Sequence, residues 1–140
     1  MSWLQKEINI KSKERGFHLI TEEILGLIPE ISNYQIGIMH VFMKHTSASL
    51  SINENADSTV RDDMESHFNH FVPENANYYT HTFEGSDDMP AHIKSTIIGN
   101  SISVPIRDGE LNLGLWQGIY LCEHRTNSYS RKLVITINGK

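Results

Sequence analysis

The chain has 140 residues, 12 Lys and Arg against 17 Asp and Glu, a net charge of −5 and a hydrophobic fraction of 39%. That size and apolar content suit one domain spanning residues 1–140, and the acidic balance excludes the basic footprint of a nucleic-acid binder. The lone cysteine, Cys122, excludes an intrachain disulfide framework, and no apolar run nears the roughly 18 residues of a bilayer span. The opening Met-Ser-Trp-Leu-Gln-Lys-Glu lacks a signal-peptide core, so a cytoplasmic chain is expected, with neither nucleic-acid nor membrane partners.

Loose alternation over residues 3–10 predicts a first strand, and Phe17-His18-Leu19-Ile20 a second. Thr21 is placed to cap a short helix, Glu22–Leu27, whose first-turn acids suit the helix dipole and which stops by Pro29. Residues 34–44 are apolar on both faces and predict a central strand covered on each side. A shorter strand follows at Ser49–Ile52, with His45-Thr-Ser-Ala as a bend between them. Val60, Met64, Phe68 and Phe71 form one stripe of a helix over 56–71, capped by Asp57 or Asn55 and ended by Pro73. Residues 72–87 read as a long polar loop, with a short strand suggested at Tyr79–Phe83.

Asp88 is expected to cap the next helix, with Pro90 in its first turn and Gly99 at its end. Asp108-Gly109 then predicts a hairpin between Ser101–Arg107 and Glu110–Leu115. Gln117–His124 reads as a long apolar strand with Cys122 as a buried thiol, and Arg131–Asn138 as a last alternating strand. The expected fold class is α+β, an antiparallel sheet-rich core of two packed sheets with two to three helices.

Eight histidines are present. His45, His81 and His92 fall at a strand end, in a loop and in a helix first turn, each beside acids or hydroxyls that can hold a second imidazole nitrogen. Their spacing carries no ligand signature, so two readings stay open: a three-histidine metal site, or three unrelated polar side chains. His67 and His70 read as a surface pair, and His40 as a satisfied core histidine. Among Glu54, Asp57, Glu84, Asp87 and Asp88, the first two are explained by the helix entrance and Asp88 by capping. Glu84 has no evident structural task and is the candidate general acid or base.

Ser47, Ser49, Lys94, Ser95, Arg125 and Arg131 are candidates for binding an anion. Glycines on either side of Trp116-Gln117 point to a bulge or close backbone approach that aims Trp116 or Gln117 into a site. No Walker, dinucleotide or Gly-x-Ser-x-Gly pattern occurs.

His45-Thr-Ser-Ala-Ser, Asn53-Glu54, Glu84-Gly-Ser-Asp-Asp-Met-Pro-Ala-His-Ile-Lys-Ser and Gly114-Leu-Trp-Gln-Gly-Ile-Tyr together resemble the YjbQ-like family, along nearly the whole chain. Leu115 stands where the family's Gly-Thr-Trp-Gln pattern usually has Thr. The resemblance implies an α+β fold and a homotrimer with sites near subunit interfaces. It matches His45, His81 and His92 to family histidine positions that can hold a metal, and it implies a secondary thiamine-phosphate synthase activity.

An enzyme of that kind joins a pyrimidine pyrophosphate to a thiazole phosphate. Lys94, arginines and a metal would stabilise the leaving group, with Glu84 or His45 managing protons. Ser47, Ser95, Trp116, Gln117, Arg125 and Arg131 are the expected substrate contacts. A three-histidine set favours a zinc-like divalent ion, whereas pyrophosphate chemistry uses Mg²⁺. A metal-dependent hydrolase of a small phosphorylated molecule is therefore one alternative, and a non-catalytic metal or small-ligand binder the other.

Overall fold

In the computed structural model, which describes residues 1–140, the alternating segments become eight strands in two antiparallel sheets, joined by three α-helices. β1 (Ser2–Ile10), β8 (Arg131–Gly139), β3 (Ile36–Met43), β5 (Ser101–Arg107) and β6 (Glu110–Leu111) lie in that order in a five-stranded sheet. β2 (Gly16–Leu19), β7 (Gln117–Glu123) and β4 (Ala48–Glu54) form a three-stranded sheet. Register follows the side-chain period: Ile8 faces Leu133 across β1–β8, and Met39 faces Ile137 across β3–β8.

The inner face of the larger sheet (Ile8, Ile10, Met39, Val41, Val104, Leu133, Ile135) packs on Ala48, Leu50, Ile119 and Leu121 of the smaller one, with Ile24 of α1 (Thr21–Leu27) closing one end. The opposite face of the smaller sheet carries Phe17, Tyr120 and Cys122 against Met64 and Phe68 of α2 (Ser58–Phe71) and Ile98 of α3 (Asp88–Ile98). Two sheets and a helical layer therefore stack, as an α+β arrangement requires. Cys122 is buried as expected, and burial pushes its thiol up to about 12, so it is inert.

The strand covered on both faces is β7, buried from Gly118 to Glu123, rather than β3. Ile36 and Ile38 of β3 are more than half exposed and His40 is half-buried, because nothing packs on the outer face of the larger sheet. Sequence pattern reports apolarity, and here the second apolar face of β3 has no layer within the chain to meet. Thr21 does not cap α1. Its Oγ1 accepts the Ile119 N–H at 2.9 Å, tying the helix start to β7. Asp57 does cap α2, accepting from Thr59 N at 2.9 Å.

Phe71 lies off the packed part of the α2 stripe, 63% exposed, with His67 stacked on it. Asp108 and Gly109 both adopt positive φ, 51° and 80°, as the tight hairpin demands. β6 stops at Leu111, and residues 79–83 form no strand. No helix is long and apolar enough to cross a membrane.

Candidate metal centre

Residues 44–47, the loop 72–87, the start of α3 and residues 124–130 meet at one end of the smaller sheet, because β4 begins where β7 ends: Ala48 pairs with Glu123. Asp88 opens α3 and His92 follows one turn later, so both project from one helix face. His81 arrives from the long loop. One carboxylate oxygen, Asp88 Oδ2, lies 2.7 Å from His81 Nε2 and 3.1 Å from His92 Nε2. A ligand atom of each residue lies within 4.8 Å of the others, close enough to surround a metal ion. The Asp88 side chain is 2% exposed, against 44% for His81 and 31% for His92, so the set is anchored from below and open on the imidazole side.

The other Asp88 oxygen, Oδ1, receives Arg125 Nη1 at 2.5 Å. Burial works to raise the Asp88 carboxyl, but the hydrogen bond from His81 and the Arg125 charge outweigh it and hold it below its usual range. Asp88 is therefore ionised. Asp87 is likewise lowered: burial is outweighed by hydrogen bonds from Thr126 N and Arg125 Nε, both at 2.9 Å.

His92 carries the decisive detail. Its Nδ1 lies 3.0 Å from the Thr46 carbonyl oxygen, which can only accept, so Nδ1 bears a proton. In a neutral imidazole Nε2 is then a lone pair, and it faces the Asp88 carboxylate oxygen at 3.1 Å. Two acceptors at that separation repel unless a proton or a metal ion lies between them. The same bond fixes the tautomer and ring orientation a metal-binding histidine needs. Residues of these types fit a small divalent ion that accepts two nitrogens and one oxygen.

His45 is not in this group. Its Nε2 accepts the Lys132 N–H at 2.8 Å and its ring packs edge-on against Tyr129. Burial and the nearby Arg131 charge lower its basicity, leaving a neutral structural imidazole. Of the expected set of His45, His81 and His92, the structure brings together His81 and His92, with Asp88 between them, and leaves His45 apart. The neighbouring residue, Thr46, holds His92 through its carbonyl.

Lys94, expected as a catalytic residue, points into the protein. It is 1% exposed and donates to Asn69 Oδ1 at 2.7 Å, and burial with the Arg15 charge lowers its pKa. Glu84 meets the site only through its backbone oxygen, which accepts from Arg125 Nη2 at 2.8 Å, while its side chain is exposed.

The expected anion contacts are mostly spent inside the protein. Arg131, fully buried, pairs with Glu123 at 2.8 Å and donates to Ser47 Oγ at 3.1 Å. Ser95 donates to Ala48 O at 3.1 Å. Arg125 is engaged with Asp87 and Asp88. Trp116 and Gln117 lie at the far end of β7, where Gln117 Oε1 accepts Gly114 N at 2.8 Å and Trp116 is 62% exposed. The close approach does occur there: a Cβ on Gly118 would meet Leu19 at 2.6 Å.

Asp88 is not the helix cap expected of it; Asp87 holds that position, without a side-chain capping bond. The signal that marks Asp88 is Asp-x-x-x-His at a helix start, which sets carboxylate and imidazole on one face.

A family model described as UPF0047 protein YjbQ-like matches residues 6–140. The chain belongs to this family. It is 48% identical over 138 residues to the UPF0047 protein YjbQ of Escherichia coli O157:H7, covering 99% of each chain. It is 39% identical over 136 residues to the UPF0047 protein sll1880 of Synechocystis, covering 97% and 92%. Among solved structures, the uncharacterized YjbQ/UPF0047 protein of Clostridium acetobutylicum superposes with a TM-score of 0.83 at 34% identity, over 95% of this chain and 99% of that one. The YbjQ-like protein of unknown function from Sulfolobus solfataricus shares the fold, with a TM-score of 0.85 at 22% identity over 99% of both chains.

Proposed function

We propose that His81, Asp88 and His92 bind one zinc-like divalent ion and that this member of the YjbQ-like family is a metal-dependent enzyme acting on a small anionic or phosphorylated molecule by hydrolysis. The observation that carries this reading is the geometry at His92: Nδ1 is committed to Thr46 O, and Nε2 faces a carboxylate oxygen 3.1 Å away, a pair that holds either a proton or a metal ion between its atoms. A divalent ion supplies Lewis acidity and brings the pKa of a water near neutrality. Asp88 fixes the ligand geometry, Thr46 orients His92, and the half-exposed His81 borders a cleft of about 110 Å³ lined by Tyr79, Thr82, Ser86 and Met89.

Thiamine-phosphate synthesis is the second reading, favoured by the family resemblance of the motifs. It asks for free cations around a leaving pyrophosphate and for an oxygen-rich Mg²⁺ site. Lys94 and Arg131 are enclosed in internal contacts, so the hydrolytic reading ranks above it. We also propose a homotrimer, supported by the uncovered apolar outer face of the larger sheet.

The test is turnover by zinc- or cobalt-loaded protein on a panel of small phosphoesters. Phosphate release is expected, and its loss in His92→Ala with the fold kept. Pyrophosphate release from the pyrimidine pyrophosphate that requires the thiazole phosphate and yields thiamine phosphate, without phosphoester cleavage, would move the assignment to the synthase. Binding without turnover would move it to a ligand carrier.

A further inference from the structure

The two oxygens of Asp88 are divided between two tasks. Oδ2 faces both imidazoles, and Oδ1 is taken by Arg125 Nη1 at 2.5 Å. The guanidinium that takes it is itself fixed at every other corner. Nε donates to Asp87 Oδ2 at 2.9 Å, Nη2 donates to Glu84 O at 2.8 Å, and the Arg125 backbone N–H donates to Glu123 Oε2 at 3.2 Å. Glu123 is in turn held by the buried Arg131. A planar fork whose three nitrogens are all engaged is held in place against Oδ1.

We infer that Arg125 is a positioning residue that keeps Asp88 a one-oxygen ligand and thereby sets which ion the site accepts. This rests on the metal-centre reading above. A carboxylate restricted to one oxygen, beside two nitrogens, suits a small ion content with four ligands. Larger, oxygen-seeking ions gain from a carboxylate that offers both oxygens and from a higher ligand count. With Arg125 in place that second oxygen is withheld.

Simple charge predicts something different. Arg125 is a cation beside the site, and if it acted only through its field, removing it would strengthen the binding of every divalent ion alike. Positioning instead predicts a change of selectivity and of coordination geometry.

The test titrates Co²⁺ and Mn²⁺ into the metal-free wild type, Arg125→Met and Arg125→Lys, reading affinity and the visible absorption of bound Co²⁺. Wild type is expected to prefer Co²⁺, with the intense absorption of a four-coordinate ion. Arg125→Met is expected to lose that preference by ~10-fold or more, the scale on which outer contacts tune metal sites, with weaker absorption as the coordination number rises. Arg125→Lys keeps the charge and the aliphatic stem, but its single ammonium cannot hold Asp87, Asp88 and Glu84 O together. It should therefore shift selectivity in the same direction, and it decides the matter if Arg125→Met does not fold. Variants that move both ions by one common factor and leave the cobalt spectrum unchanged would overturn the positioning role while the metal centre stands. A wild type that takes up no Co²⁺ would overturn both.

Discussion

At the scale of single residues, the chain places charged groups where water cannot reach them, and that choice has measurable costs. Arg131 and Glu123 are both fully buried and paired through two hydrogen bonds. Arg131→Met strands the Glu123 carboxylate, so a loss of about 3–5 kcal/mol in urea unfolding is expected. A loss below about 1 kcal/mol would contradict the pairing.

His124, buried and bonded to Ser49 at 2.8 Å, is pushed down to about 3 by burial, with the Lys94 and Arg131 charges adding to the shift. The unfolded chain protonates this imidazole near its ordinary 6.5. Its contribution is therefore fully present above that pH and is lost as pH falls toward about 3, at up to about 1.4 kcal/mol per unit. His45 is lowered too and adds in the same direction. In His124→Gln the fall in stability between about pH 6.5 and 5.5, above most of the carboxylate titration, should be clearly shallower. An unchanged slope would show that His124 is not buried neutral.

The legibility of the site divides in the same way. His81 and His92 stand out by residue type and neighbourhood. His45 could not be separated from them, because its partner, Lys132 N, lies 87 residues away. Asp88 was hidden because an acid at a helix start already has a local explanation, and only tertiary convergence distinguishes a cap from a ligand.

At the scale of elements, local physics carried most of the reading. Period two marked β1 and β8, the Asp108-Gly109 pair marked the β5–β6 hairpin, and Asp57 with Pro73 bounded α2. Losses came where a neighbour decides: Thr21 bonds β7 rather than capping α1, and β6 ends at Leu111. That loop depends on a close approach. A methyl at Gly118 would press on Leu19 at 2.6 Å and on Asn55 at 3.1 Å, and the Asn55 side chain holds the Leu115 and Gln117 carbonyls. Gly118→Ala should cost about 1–3 kcal/mol in thermal or urea unfolding. A neutral outcome would mean that the Leu19 side chain turns away from β7 without loss. Asp57→Ala, which removes only a cap, should cost about 1 kcal/mol in the same assay.

For the whole molecule, the asymmetry of the layers is the main feature. The smaller sheet is covered on both faces, whereas the larger one leaves Trp3, Ile36, Ile38 and Phe42 exposed at 75%, 58%, 54% and 41%. These exposed apolar positions are why the sequence of β3 reads as two-sided, and apolar surface of this kind is the basis of the homotrimer proposed above. If copies of this chain meet there, sedimentation should find a trimer in wild type and smaller species in Ile38→Lys. A wild type that stays monomeric at micromolar concentration would remove that proposal without touching the metal centre.

The centre itself draws on the segment before β4, the long loop, α3 and the segment after β7, so it depends on the whole fold. The most direct measurement is the metal content of protein purified without an affinity tag, beside Asp88→Ala and His92→Ala. About one zinc-like ion per chain, lost in both variants and retained in His45→Ala, is the predicted result. No bound metal in the wild type and none taken up from added Zn²⁺ or Co²⁺, or an ion lost only in His45→Ala, would contradict it.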